Sequence, residues 1–145
     1  MKSFGGKLAV VTGGGGGMGR ELVIALASEG CHVALCDVNE ESMAQTRSLA
    51  RAAAKADLRV TTHKVDISEE RQVIAFRDAV ANTHQAKHID LLFNNAGIGG
   101  GGSFVLDERE EWDKTFAVCW NGVYFCTRAF LPMLLASRAA HLINT

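Results

Sequence analysis

The stretch that decides the fold runs Leu8-Ala9-Val10-Val11-Thr12-Gly13-Gly14-Gly15-Gly16-Gly17-Met18-Gly19-Arg20. Four consecutive apolar residues without alternation read as a strand buried on both faces. The glycines follow at once. From Arg20 to Glu29 the chain reads as a helix, with Leu22, Ala25 and Leu26 on one face and Gly30 as its stop. A strand that passes through a side-chain-free bend into a helix start is suited to anions. The tight turn needs positive φ, nothing shields the backbone N–H groups, and the helix start adds about half a unit of positive charge. A pyrophosphate fits that cradle, with Gly13, Gly16, Gly17, Met18 and Gly19 as candidate contacts. A flexible linker is also glycine-rich; the flanking strand and helix favour the cradle. A P-loop is excluded, because Gly19 is followed by Arg20-Glu21 and not by Lys-Ser/Thr.

Outward from this stretch, strand and helix alternate. Cys31 to Cys36 reads as a second strand ending at Asp37, and Asn39 caps a helix whose first turn holds Glu40 and Glu41. That helix runs through Met43, Leu49 and Ala52–Ala54. Leu58 to Val65 is a third strand. Ser68 is expected to cap a third helix with Val73, Phe76 and Val80 as its buried stripe. Ile89 to Phe93 is the fourth strand, and a loop at Gly97–Gly102 leads to a long helical stretch from about Glu108 to Ser137, which Pro132 should bend. His141-Leu142-Ile143-Asn144 begins a fifth strand. The pattern implies one α/β domain over residues 1–145, a doubly wound parallel sheet with helices on both faces, incomplete at its C-terminal side.

Asp37 ends the second strand, about where a dinucleotide fold needs an acid to grip the adenosine ribose. A carboxylate there accepts from both ribose hydroxyls and repels a 2′-phosphate by on the order of 1–4 kcal/mol per charge pair. Val38 follows it, no Lys or Arg lies in the glycine run, and Arg20 at the helix start is expected to point away. NAD(H) is therefore expected over NADP(H). The plain alternative makes Asp37 a loop or capping acid.

Composition removes other classes. The 145 residues carry a formal net charge of −1, which advertises no basic face for nucleic acid or anionic lipid. No apolar run approaches the roughly 20 residues of a membrane helix, and Met1–Lys7 has no signal-peptide core, so a cytoplasmic address is expected. The cysteines, Cys31, Cys36, Cys119 and Cys126, include no CxxC pair. Cys31 and Cys36 fall on opposite faces of one strand, and Cys119 and Cys126 on one side of a helix, as packing residues. His84 and His88 have a metal-compatible spacing, but their neighbours read as a solvated helix end. No metal site is expected.

Taken together these motifs resemble the short-chain dehydrogenases/reductases, a Rossmann-type family. Its cofactor motif Thr-Gly-x-x-x-Gly-x-Gly is matched by Thr12, Gly13, Gly17 and Gly19, and its Asn-Asn-Ala-Gly motif by Asn94-Asn95-Ala96-Gly97. Asp66-Ile67 matches the acidic position that in the family binds the adenine amino group, and Trp112-Asp113 with Gly122-Val123 matches the fourth-helix pattern. The resemblance implies that Asp66, Ile67, Asn94, Ala96 and Gly97 also contact the cofactor, and that the parent protein transfers a hydride between nicotinamide and a secondary alcohol or carbonyl. Standing alone, Asn94–Gly97 would read only as a turn.

Two departures accompany it. The family has an Asn three residues before the Gly of Gly-Val, where it holds a water chain; here that position is Cys119, and a thiol donates and accepts only weakly. Proton relay through it is expected to be reduced or rerouted. The family's catalytic Ser and Tyr-x-x-x-Lys are absent: the chain stops at Asn144-Thr145, and Tyr124 is followed at +4 by Arg128. No catalytic residue is therefore assigned, and the 145 residues alone are expected to be inactive. The alternative is a non-catalytic dinucleotide-binding or interaction module. Leu134, Leu142, Ile143 and much of the fourth helix are expected to lie poorly covered, which favours self-association, including homo-oligomers through that helix.

Overall fold

The apolar run at Leu8–Thr12 forms β1, buried at every residue, and it sits at the centre of a five-stranded parallel sheet. The computed structural model describes residues 3–55, 57–100 and 102–145. Around β1 lie β2 (His32–Asp37), β3 (Val60–Lys64), β4 (Leu91–Asn94) and β5 (His141–Asn144), in the order β3-β2-β1-β4-β5. The helices are α1 (Gly17–Ser28), α2 (Glu40–Ala53), α3 (Glu70–His84), α4 (Arg109–Phe116) and α5 (Gly122–Leu135), and a π-helical turn at Ala117–Asn121 joins the last two. The fold is the Rossmann-type doubly wound sheet that the strand–helix alternation implies.

Pleating divides the core in two. Leu8 and Val10 face one cluster with Ala34, Cys36, Phe76, Leu92 and Phe130. Ala9 and Val11 face the other, with Val23, Leu26, Val33, Leu35 and Met43. The sheet is thus covered by α3 and α5 on one side and by α1 and α2 on the other. Both faces of the central strands are apolar, which is why their sequence shows no alternation. The chain leaves β1 toward β2 on one flank, and β4 pairs with β1 on the other. This reversal opens a crevice at the carboxyl ends of β1 and β4, where open α/β sheets bind ligands.

Local expectations needed correction in several places. α1 begins at Gly17, inside the glycine run, and buries Gly19, Val23, Leu26 and Ala27, while Ala25 is exposed. On α2, Thr46 and Ala50 join Met43 in the interior and Leu49 faces out. Ser68 does not cap α3, because its hydroxyl donates to Asp66 Oδ1 at 2.6 Å and Glu69 takes the cap position without a side-chain bond. Pro132 lies within α5 and the irregular turn falls at Ala117–Asn121 instead; Arg128, whose carbonyl loses its donor, is exposed, so water can satisfy that group. The wider turn also parts the two cysteines expected on one side: Cys126 is buried and Cys119 is exposed. Contrary to expectation, Leu134 on α5 is buried and Ile143 is half-buried against the core, whereas Phe116, Trp120, Tyr124, Leu131 and Leu135 are uncovered in that region, with Leu142 on β5.

On α3 the expected stripe of Val73, Phe76 and Val80 is buried, and the helix closes with His84 turned onto the sheet edge. The Thr61 hydroxyl lies 2.9 Å from His84 Nε2 and 3.0 Å from His63 Nε2. Burial, reinforced by Arg59, His32 and His63, holds the His84 pKa down at about 4, and burial also lowers that of His63. The unfolded chain therefore takes up protons that the native fold refuses. Stability should be complete above about pH 6.5 and fall as the pH drops from 6.5 toward 4. Urea unfolding at pH 7 and pH 4.5 should show the His84→Gln variant losing about 1–2 kcal/mol less than the parent, a figure reduced for partial solvent screening. An equal loss in both proteins would remove His84 as the cause.

Among the described residues no helix is long and apolar enough to cross a membrane, and no group of three or more His, Cys, Asp or Glu gathers as a metal site.

Candidate dinucleotide site

The bend after β1 is built by two close approaches. Gly13 holds φ +65°, and a Cβ there would come within 2.7 Å of the Ala96 Cα. A Cβ on Gly19 would fall onto the Gly13 carbonyl oxygen and within 2.7 Å of Asn95 Nδ2. Both positions thus require the absence of a side chain, one for its torsion and for contact with the next loop, the other for contact across the bend.

The Asn94–Gly97 segment is stitched to this bend. Thr12, fully buried, accepts through its hydroxyl oxygen from the N–H groups of Asn95 and Ala96, both at 3.0 Å, and donates to the Phe93 carbonyl at 3.3 Å. Asn95 Nδ2 donates to the Thr12 carbonyl at 3.0 Å and to the Gly13 carbonyl at 3.3 Å. One threonine and one asparagine therefore lock the two loops into a single wall.

Between these loops and the ends of β2 and β3 lies a cleft of about 680 Å³. Of the residues expected at the site, Gly13, Gly16, Met18, Gly19, Asp37, Asp66, Ile67, Ala96 and Gly97 line it. Gly17 and Asn94 do not. Gly17 is the first residue of α1. Asn94 is buried, and its Nδ2 donates to Thr127 Oγ1 at 3.0 Å and Asn144 Oδ1 at 2.9 Å, tying β4 to α5 and β5. Its own Oδ1 has no partner among the described residues. The Asn94 side chain thus ties the sheet together from outside the cleft lining. Sequence reasoning missed Cys36, Val38, Val65, Asn95, Ile98, Lys114 and Val118 on the lining. Lys114 and Val118 carry no local signal, since they reach the cleft only because α4 and the π-helical turn after it return over the cleft.

Each acid at the rim is already oriented. Asp37 Oδ2 accepts from the Gly15 N–H at 2.9 Å and its Oδ1 from the Asn39 N–H at 3.1 Å. Asp66 Oδ1 accepts from the Ser68 N–H at 2.9 Å and from the Ser68 hydroxyl. Cys119 lies off the cleft lining, with its Sγ 3.5 Å from the Ile98 N and 3.4 Å from the Ile98 O. The thiol is thus occupied with one backbone unit. The other cysteines are inert packing groups: burial pushes the Cys31 and Cys126 thiols up to about 12 and Cys36 well above its ordinary value. Tyr124 does not line the cleft; it faces solvent, with Arg128 Nη1 donating to its hydroxyl at 2.8 Å.

A larger hollow of about 810 Å³ lies at the opposite end of the sheet, lined in part by His32, Arg51, Arg59, His84 and Lys87. Helices α2 and α3 direct their carboxyl ends there. Basic residues at such ends offset the helix dipoles, and among the described residues no helix start faces this hollow. The cleft at the glycine bend has those donors.

Comparison with known proteins shows which family the chain resembles. Residues 7–145 match the short chain dehydrogenase family. The SadH protein of Mycobacterium tuberculosis is 36% identical over 144 residues, which cover 99% of this chain and 50% of that protein. A crystallised short-chain dehydrogenase/reductase from Burkholderia phymatum, in complex with NAD, is 38% identical with a TM-score of 0.89, covering 99% of this chain and 50% of that one. A metagenomic short-chain oxidoreductase in complex with NADP is 33% identical with a TM-score of 0.88, covering 99% and 63%. This chain spans about half the length of the curated relatives it matches. With the glycine bend, the Asn-Asn-Ala-Gly wall and the sheet order all in agreement, the chain belongs to the short-chain dehydrogenase family.

Proposed function

We propose that residues 1–145 form the dinucleotide-binding domain of an oxidoreductase and that this domain prefers NAD(H) to NADP(H). The residues present fit such a cofactor, because Gly16 on the cleft lining leaves open space where a Cβ would stand, Gly13 and Gly19 let the bend close against the Asn95–Ala96 wall, and the start of α1 supplies N–H donors. Gly13, Gly16, Met18 and Gly19 would hold the pyrophosphate, Asp37 the adenosine ribose, Asp66 and Ile67 the adenine, and Ala96 and Gly97 the second ribose. When bound, the nicotinamide exchanges a hydride with a secondary alcohol or its carbonyl in the whole protein. These 145 residues contain no Tyr-x-x-x-Lys, so this chain on its own should bind without turnover. The uncovered outer side around Trp120 and Leu135, 71% and 77% exposed, is where we propose copies associate.

The observation that carries the cofactor preference is the Asp37 carboxylate, fixed at the rim by two backbone N–H groups. A 2′-phosphate would meet that charge at close range, whereas a 2′-hydroxyl can donate to it. Calorimetric titration should give NADH binding at least roughly tenfold tighter than NADPH, and Asp37→Ala should abolish the difference. Tighter binding of NADPH by the parent chain would reject the preference.

A further inference from the structure

Arg20 stands at the mouth of the glycine bend, where a cation would ordinarily favour phosphate, yet it does not line the cleft. Its guanidinium is turned beneath the bend toward α2. Nη2 donates to the Gly15 carbonyl at 2.7 Å, and Nε donates to Thr46 Oγ1 at 3.0 Å. Thr46 is completely buried, and its Oγ1 lies 3.2 Å from the same Gly15 carbonyl and 3.1 Å from the Ser42 carbonyl. Gly15 is thereby held at both of its polar groups: its carbonyl by Arg20 with Thr46, its N–H by Asp37 Oδ2.

We propose that Arg20 and Thr46 are positioning residues that set the cofactor's 2′-hydroxyl recognition, by fixing Gly15 so that its N–H holds the Asp37 carboxylate in register. The inference rests on the assignment of Asp37 to the ribose. A hydrogen bond to an ionised group is the stronger kind, so the Gly15–Asp37 contact fixes a carboxylate well only if Gly15 cannot turn. Geometry supplies the rest. A planar guanidinium can bridge one carbonyl and one hydroxyl on two elements at once, which a lysine ammonium or an apolar side chain cannot do with the same orientation. The arrangement also places the positive charge under the bend. It satisfies carbonyls there and is withheld from the place a 2′-phosphate would need it.

The test titrates the 145-residue chain with NADH, NADPH and the adenosine-2′-deoxy analogue of NADH. Arg20→Met and, independently, the near-isosteric Thr46→Val should each weaken NADH roughly tenfold, the factor carried by one hydrogen bond to a charged group. Binding of the deoxy analogue, which leaves Asp37 only the 3′-hydroxyl, should weaken clearly less than that of NADH, by no more than about threefold, and Thr46→Ser should restore NADH binding. Parallel weakening of NADH and the deoxy analogue would show a general scaffold role and overturn the proposal. So would an unchanged preference for NADH in both variants while the parent chain prefers it. A parent chain that prefers NADPH would overturn the ribose assignment itself, and this inference with it; that result is read from the parent alone. Thr46→Val keeps the test decisive if Arg20→Met does not fold.

Discussion

Replacing Gly19 by alanine should destabilise the protein by about 3 kcal/mol and abolish measurable NADH binding, because the added methyl group meets the Gly13 backbone and the Asn95 side-chain amide that together close the bend. The first obstacle is the Gly13 carbonyl oxygen and the second is the Asn95 side-chain amide. Neither is the free end of a flexible side chain. Gly13 is held in a left-handed conformation against Ala96, and Asn95 is bonded to Thr12 and Gly13. Relief must therefore come from separating the two loops that form the cleft wall, which moves the phosphate donors as well. Gly16 provides the control. It also lines the cleft, but a Cβ there meets nothing within 4 Å and its φ is −154°, so Gly16→Ala should cost less than about 0.5 kcal/mol. Urea unfolding of the two variants separates the cases. Similar stabilities would show that the bend is a flexible linker and not a packed wall.

Asp90→Ala should cost about 3 kcal/mol, lowering the melting temperature by roughly 10 °C, while leaving NADH affinity unchanged. Asp90 lies at the amino end of the sheet, away from the cleft, and its side chain is 3% exposed. Oδ2 accepts from the Leu8 N–H at 3.1 Å, and Oδ1 accepts from the Ser137 hydroxyl at 2.8 Å and the Lys7 ammonium at 3.3 Å. One carboxylate thus joins the start of β1 to the end of α5. Burial by itself would raise its pKa, but the Leu8 N–H, Ser137 and Lys7 outweigh this and hold it below the ordinary value. The alanine variant leaves the Leu8 N–H and the Ser137 hydroxyl without their acceptor, and such orphaned groups carry the desolvation cost. Because the carboxyl is held low, its contribution is present above the unfolded value of 3.8 and is lost as the pH falls through the lower native value. The variant should accordingly lose less than the parent on acidification. A drop of under 1 kcal/mol at neutral pH, with weakened NADH binding, would contradict this account.

The expected elements and the observed ones differ by kind of information. The strands at Leu8–Thr12 and His32–Asp37, the cap at Asn39 and the stripe on α3 were legible because each depends on residues within one or two turns of chain. The glycine bend and Asp37 were legible for the same reason: an absent side chain and a charge at a strand end advertise their use locally. The errors arose where a remote partner intervened. Ser68 has a cap-forming side chain, but Asp66 competes for its hydroxyl. Asn94 belongs to a motif expected at the ligand, yet its amide is taken by Thr127 and Asn144, which are 33 and 50 residues away. Pro132 is the obvious helix breaker, and the irregular turn nevertheless sits at Ala117–Asn121, where Cys119 reaches Ile98 from the facing loop.

Sequence alone thus determined the alternation of strands and helices, the doubly wound class, the side-chain-free bend after β1 and the family. These follow from periodicity, from missing side chains and from charge, all properties of residues near one another in the chain. Only the tertiary structure decided that Arg20 turns beneath the bend to Thr46, that Asn95 clasps Thr12, and that Asp90 staples Leu8. Those contacts join residues 26, 83 and 82 positions apart. A hydrogen bond is selected by distance and angle, and for such pairs both exist only after the sheet has brought the segments together.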